Sequence, residues 1–571
     1  MRQRRAPHAP VGRTPRPSGR PRARYTSRVT AIASVLNQVL SDSPLRHTSF
    51  RSFYLASIGV ALGYTMQATM AAWLMATMTP SELMVALVQT ASTAPAIIFG
   101  LVAGALSDIV ERRRVILWTQ ILFLAGTLVL GAATMAGFMA PWGLLVLTFF
   151  IGVGFTFYMP AQQASINELV ERPDVPKAVA LGAVAMNVSR AIGPALAGAL
   201  LAWIGSGSAF LCCAVCFLGM IFVVRGWVKH PPAIPGVPES LLTGIASGLR
   251  FVRHSAPMRA IVLRNLTFAL CASSLYALLP VIARDQLKLG AGGFGVLFGS
   301  FGAGAVVAAL NIPGALVKHS LQRMVLAASL LWVISATLVA ATEYPALAMV
   351  GSFGAGASWV GVFASLGAGT QSAAPAWVRA RAVAMTFVTV QASLAVGSVL
   401  WGTIASWRGT RVALLAAAVT FLVLLASHRR VRVRLSGDKD VMPGGQMNEI
   451  GLADEPEPDD GPVLIQIEYR IQPDNHDNFL RAVRAIGPVR RRNGANSWRV
   501  FRDLAEDGLF VERYIISSWA EYVRLRARMT IADRQVQEDI AKHQREGAPI
   551  RVSRFLGVDL PERARSTASK K

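Results

Sequence analysis

Arg190 lies midway along an apolar stretch that reads NVSRAIGPALAG (187–198). A guanidinium at that depth in hydrocarbon is costly, so it must face protein or a wet cavity and find a partner there. Asn187, Arg190 and Gly193 follow one another at intervals of three, which places them on roughly one face of a helix. Two kinds of chemistry fit. Arg190 can bind an anionic or polar molecule passing along that face. Alternatively it can pin backbone near Pro194, whose ring removes an amide donor and crowds the preceding turn. The pin is the preferred reading. Gly193, Pro194 and Gly198, with Ala197, suit close helix packing.

A second cluster, GALSDIVERRR (104–114), joins two long apolar runs and carries Gly104, Asp108, Glu111 and the basic triplet Arg112, Arg113 and Arg114. An acid at a helix end beside three cations can form an ion pair that holds in one conformation and breaks in another, so Asp108 reads as the latch of a gate. Polar and aromatic side chains inside apolar runs are candidates for lining a path: Gln67, Gln89, Tyr158, Asn187, Tyr276 and Gln371, together with Tyr64, Trp73 and Gln162. Cys212, Cys213 and Cys216 sit in apolar sequence with no His or acid nearby, and Cys271 is alone in another run. No metal site, catalytic residue or cofactor is therefore expected. The ten acids before Arg429 all fall at the ends of apolar runs or between them, so no buried carboxylate is at hand to carry a coupled proton.

The elements that must position these residues follow from hydropathy. Hydrophobic residues make up 53% and charged residues 16% of 571, with a mean hydropathy of +0.44, which excludes a single soluble domain. Runs of roughly 20 apolar residues, enough to cross ~30 Å of hydrocarbon, recur at 53–77, 83–106, 115–138, 142–164, 179–203, 208–227, 260–283, 292–312, 324–342, 346–369, 382–406 and 410–427. The expected fold is an all-α polytopic membrane protein with twelve transmembrane helices in the plasma membrane. Its short basic connections and both termini lie in the cytoplasm. The net charge of +25 is uneven: +21 precedes Arg429 and +4 follows from there. A basic excess at helix ends is topology and attraction to anionic membrane lipid rather than nucleic-acid binding.

Residues 1–49 read as a disordered basic arm, with nine arginines and no acid in the first 28, and without the apolar core of a signal peptide. Residues 50–228 and 260–428 form two six-helix halves, separated by a basic, proline-rich central loop at 229–259. The halves repeat. GALSDIVERRRVI (104–116) aligns with GALVKHSLQRMVL (314–326), and NVSRAIGPALAG with QASLAVGSVLWG (391–402), at nearly the same offset. Duplicated units of this kind hold a substrate path between them and work by rocking. After a linker (429–461), residues 462–560 read as strand, helix, two strands, helix and strand, an α+β ferredoxin-like domain, and 561–571 form a short tail.

The loop at 104–114 resembles the signature loop of the major facilitator superfamily, although Ile109 and Glu111 stand where that pattern has arginine and glycine. GYTMQATMAAWLM (63–75), ALVQTASTAPAIIFGLVAGALSD (86–108), NVSRAIGPALAG, ALLP (277–280) and AAPAWVRARA (373–382) resemble its transmembrane secretion effector branch, the enterobactin-exporter-like carriers. The resemblance implies a twelve-helix secondary transporter exporting a small amphiphilic molecule such as a siderophore, drug or metabolite. Proton coupling is implied on the same ground alone. An importer is the alternative. RRRNGANSWRVFRD (490–503) and VERYIISSWAEYVRLRARMTIADR (511–534) resemble the extension of that branch, similar in fold to antibiotic-biosynthesis-monooxygenase-type α/β barrels. This implies either a regulatory or dimerising domain, the preferred reading, or a fused cofactor-free enzyme.

Overall fold

The computed structural model describes residues 43–226, 241–427, most of 431–444, and 455–558. Expectations for the basic arm before 43, for 227–240, for most of the linker and for the last residues lie outside that description, as does the side chain of Asp108.

In hydrocarbon a backbone amide finds no partner but its own chain, so the apolar runs become long helices. In order these are α1 (Thr48–Met78), α2 (Glu82–Ile109), α3 (Arg112–Met135), α4 (Pro141–Leu169), α5 (Val175–Arg225), α6 (Leu241–His254), α7 (Ala256–Val281), α8 (Ala291–Lys318), α9 (Leu321–Ala341), α10 (Pro345–Ala373), α11 (Arg379–Arg408) and α12 (Thr410–Ser427). Ten of them are long and apolar enough to cross a membrane, α1 and α6 being the exceptions among the twelve. The starts are legible in local chemistry. Ser81 accepts from the Met84 amide to cap α2, and Pro141 and Pro345 open α4 and α10, where a missing N–H is harmless.

Two helix junctions differ from the expected short loops. The 51-residue α5 is a hairpin of two arms broken at Gly205 alone, with φ 76° and ψ 167°. Both arms lie against α1: a Cβ on Gly63 would meet Cys216, and one on Gly193 would meet Thr65. α11 and α12 meet at Gly409, with φ 87° and ψ 159°. Gly205 and Gly409 are separated by the same offset that aligns NVSRAIGPALAG with QASLAVGSVLWG, so the duplication extends to backbone conformation. At such a φ a Cβ is strained, which reserves both corners for glycine.

The repeat also builds the seams between the halves. Gly198 on α5 packs on Gly295 of α8, where an added Cβ would stand 2.5 Å from the Gly295 Cα. Its repeat counterpart, Gly402 on α11, packs on α2, with a Cβ 2.6 Å from that of Ala86. Along α5 and α8 the contact continues to Gly302, which lies against Ala191, whereas Gly182 and Gly314, nearer the basic loops, meet nothing within 4 Å. Along α5 and α8 the halves therefore touch at the end away from the basic loops and part toward them, while α2 and α11 stay in contact as far as Gly100 and Val388.

The central loop of the sequence reading contains α6, a 14-residue helix. α6 docks the C-terminal domain. There β1 (Val463–Arg470), β2 (Ser497–Arg502), β3 (Leu509–Ile516) and β4 (Arg551–Leu556) form an antiparallel sheet in the order β2-β3-β1-β4. The alternation of buried and half-buried residues along β1 turns Val463, Ile465, Ile467 and Tyr469 toward the helices α13 (His476–Asn493), α14 (Trp519–Ala527) and α15 (Ile531–Ala541). α13 runs through Pro488, which would ordinarily break a helix, held by buried Phe479, Val483, Ile486 and Arg490. The second helix of the sequence reading is two, because Thr530 and Asp533 form a capping box that starts α15 afresh. Inside, the buried Glu512 carboxylate accepts from Arg490 (3.0 Å), Trp498 Nε1 (2.9 Å) and the Tyr469 hydroxyl (2.8 Å), so the network is closed on itself.

The domain is tied to the membrane part by Arg250 of α6, which donates to Glu521 at 2.8 Å. Arg528 lies 4.2 Å over the ring of Trp377, in the turn between α10 and α11, and Trp377 meets Phe251 of α6 edge-on at 5.9 Å. Arg381, at the start of α11, donates to Ser247 at 2.8 Å. These anchors fall on α6 and the second half.

Candidate functional site

Where the two halves begin to part, they enclose a cavity of about 120 Å³. Five helices supply its larger polar groups: Tyr64 from α1, Gln89 from α2, Arg190 from α5, Tyr276 from α7 and Gln391 from α11. The walls are aromatic. Tyr64 stacks on Phe155 of α4 with centroids 4.1 Å apart, and Tyr276 of α7 stacks on Trp359 of α10 at 5.3 Å. Phe298 and Phe301 of α8 pack edge-on against Tyr276. A narrower space of about 30 Å³ continues toward the sealed end, sharing Gln89, Tyr276 and Phe298 and adding Thr148 and Pro280.

Arg190 is surrounded by protein, with Tyr64 and Tyr276 as the ionisable groups in its field, and yet its side chain keeps an exposed surface. That combination is expected of a group lining an internal cavity. The pin contact is not formed: among the described residues the guanidinium makes no hydrogen bond to backbone near Pro194. Instead, the Thr65 hydroxyl lies 3.1 Å from the Ser189 carbonyl, and the Arg190 carbonyl, left without the Pro194 amide, faces Gly302.

Of the other path candidates, Gln89 and Tyr276 line the cavity. Gln67 and Tyr158 are buried within the first half, Tyr158 edge-on to Phe123. Asn187 is half-buried one turn before Arg190, and Gln371 is exposed at the basic end of α10, away from the cavity. Gly193, Pro194 and Gly198 lie on the α5 packing face, with Pro194 also reaching the cavity. Sequence reasoning missed Phe155, Trp359 and Gln391. Gln391 had a signal, since the repeat aligns it with Asn187, and the same alignment pairs Arg190 with Leu394, which also lines the cavity.

At the basic end, Arg112 donates to Glu168 at 2.5 Å and to the Ala164 carbonyl at 3.2 Å, which ties α3 to the end of α4. Arg113 donates to the Arg225 carbonyl at 2.8 Å, and Arg114 pairs with Glu111 at 2.9 Å. Gly104 is half-buried near the end of α2. These ties lie within the first half. The sealed end has a tie across the halves that the sequence did not suggest. Arg284, in the widened turn after α7, donates to the carbonyls of Ala76 and Thr79 at the end of α1, and pairs with Asp285 at 2.6 Å. A cation there meets the negative end of the α1 dipole. Trp73 and Phe294 stack beside it at 5.1 Å, and Ser406 accepts from the Leu83 amide at 3.1 Å.

Helical halves related by a repeat, closed at one end around a central cavity, define a transporter of the major facilitator type, a multi-pass protein of the plasma membrane. The sequence profile described as transmembrane secretion effector matches residues 40–562, and the chain belongs to that family. It is 24% identical over 315 residues to the uncharacterised MFS-type transporter y4rN of Sinorhizobium fredii, covering 54% of this chain and 73% of the relative. It is 25% identical over 182 residues to the uncharacterised MFS-type transporter YfiS of Bacillus subtilis, covering 30% and 42%. Among solved structures, an inward-facing, occupied bacterial homologue of the human lysosomal transporter Spinster aligns with a TM-score of 0.56 at 13% identity, over 69% of this chain and 99% of that one. The nucleoside transporter NupG aligns at 0.54 and 12%, over 67% and 98%. These identities speak for the fold alone.

Proposed function

We propose that this protein is a secondary active carrier that moves small amphiphilic molecules out of the cell by alternating access. The two arms of α5 count as two crossings and α1 as a further one, which gives twelve. The basic loops, α6 and the C-terminal domain lie in the cytoplasm, so the cavity opens inward in this conformation. The observation that carries the reading is a central cavity lined by both repeats, sealed at one end by glycine seams and Arg284 and parting along α5 and α8 at the other. Asp108 acts as a latch at the basic end, and Asp108→Asn impairs transport while leaving binding intact. The β2-β3-β1-β4 order supports a ferredoxin-like reading of the C-terminal domain, as a regulatory module whose open sheet face offers a place for a second copy. Accumulation of a compound panel in cells with and without the gene tests direction. Loss of the gene should raise internal levels of a transported compound, and a fall would establish an importer.

A further inference from the structure

The central cavity is charged on one side only. Arg190 brings a guanidinium into it from the first half, and the repeat counterpart in the second half is Leu394. No carboxylate lines the cavity among the described residues, and the acids before Arg429 stand at the ends of apolar runs. The hydroxyls and amides around it, from Tyr64, Tyr276, Gln89 and Gln391, can orient a ligand but cannot neutralise a cation. A charge held in low dielectric without a counter-ion is paid for elsewhere in the fold, and that deficit becomes affinity for whatever anion enters.

The walls add a second requirement. The Tyr64–Phe155 pair comes from the first half and the Tyr276–Trp359 pair from the second, so an aromatic pair from each half lines the cavity that the one guanidinium enters. The cavity of about 120 Å³, with the narrower space of about 30 Å³ beside it, does not exceed the roughly 150 Å³ that accommodates benzene in an engineered protein core, which limits the ligand to a single small ring. One planar fork favours a carboxylate, which it can meet with two parallel hydrogen bonds.

We propose that the cavity binds a small aromatic monoanion of the aryl carboxylate class, its carboxylate on Arg190 and its ring between the two aromatic pairs. This rests on the carrier reading above, and it further commits the substrate to one negative charge and a planar apolar body. A dianion would leave one charge unpaired in the same low dielectric, and an organic cation would face Arg190 directly.

The test uses the full-length protein in lipid nanodiscs for binding and in proteoliposomes for counterflow. The probes are benzoate, its neutral isostere benzamide, the cation benzylamine and the ringless anion acetate. Benzoate should bind at least tenfold more tightly than benzamide or acetate, with benzylamine undetected. Arg190→Gln should remove the preference for benzoate over benzamide, and Arg190→Lys should restore part of it, because a point charge remains without the fork. Trp359→Ala keeps the charge, so it should weaken benzoate severalfold while leaving acetate unchanged, even if the arginine variants fail to fold. Should benzamide or benzylamine be carried as well as benzoate, the anion inference falls and the carrier reading stands. If folded protein binds and moves none of the four, the inference is overturned. If it also moves nothing in the broader accumulation panel, the carrier reading falls with it.

Discussion

Gly295→Ala should push the two halves apart at the sealed end. In the structure a Cβ at Gly295 would stand 2.7 Å from the Gly198 Cα and 3.1 Å from the Pro194 carbonyl oxygen, both backbone atoms that cannot rotate aside. Ordinary contact begins near 3.4 Å, so α5 and α8 must separate by several tenths of an ångström or strain. Overpacking of this kind costs about 1–3 kcal/mol. Because the cost falls only where the seam is closed, the balance between this conformation and one open at that end shifts by roughly 5- to 150-fold. The assay is a spin–spin distance between Glu82→Cys and Trp407→Cys, across the other seam, with Cys212 and Cys216 replaced by serine. Placing the labels on α2 and α11 makes the signal a report on the halves as bodies rather than on local damage. Gly143→Ala is the control, since its Cβ would meet only the Met139 sulfur at 3.8 Å. A longer distance population in Gly295→Ala and none in Gly143→Ala is expected. An unchanged distribution in folded Gly295→Ala protein would refute the idea that these glycines set the closed seam.

Arg284→Ala should move the same distance in the same direction, because it removes the donors that hold the Ala76 and Thr79 carbonyls; Arg284→Lys should recover part of the closed population. Trp377→Ala removes the ring beneath Arg528 and beside Phe251, worth about 2 kcal/mol together. Amides of α6 should then exchange roughly 30-fold faster, and unchanged protection would show that the C-terminal domain does not depend on this anchor. Burial alone would raise the Glu521 pKa, but the guanidiniums of Arg528, Arg524 and Arg250 hold it below the ordinary 4.5. A depressed folded value stabilises above the ordinary range and loses that stabilisation as pH falls through it. Energy transfer between labels at Leu504→Cys and Val317→Cys should therefore stay level from about pH 8 to 5 and fall only once the pH drops below the ordinary carboxylate value; a drop near neutrality would contradict the pairing.

Ten apolar helices and the paired glycines at their corners and seams were legible because hydropathy and glycine spacing are local signals. So were Gln89, Arg190 and Tyr276, which stand out as polar groups in apolar runs. Phe155 and Trp359 were not, because an aromatic residue in a membrane helix looks the same whether it faces lipid or a cavity. Gln67, Tyr158 and Gln371 carried the same polar signal as Gln89, and only the packing of the helices places them elsewhere. The preference for Arg190 as a pin assumed that the Pro194 break needed a charged donor. Gly302 lies against the freed carbonyl instead, and that contact depends on a helix more than a hundred residues away. Arg284 was hidden for a related reason: its partners are backbone carbonyls at the end of α1, which have no sequence signature.

The corners at Gly205 and Gly409 have a practical corollary for anyone marking this protein from that side of the membrane. Each exposes a single residue between two helices, leaving no stretch of chain for a protease, an antibody or an inserted tag to seize. An epitope spliced into either corner would unravel the turns on both sides. Gly137, also at positive φ but with open space around it in the turn between α3 and α4, is the site on the same face where foreign sequence should be tolerated.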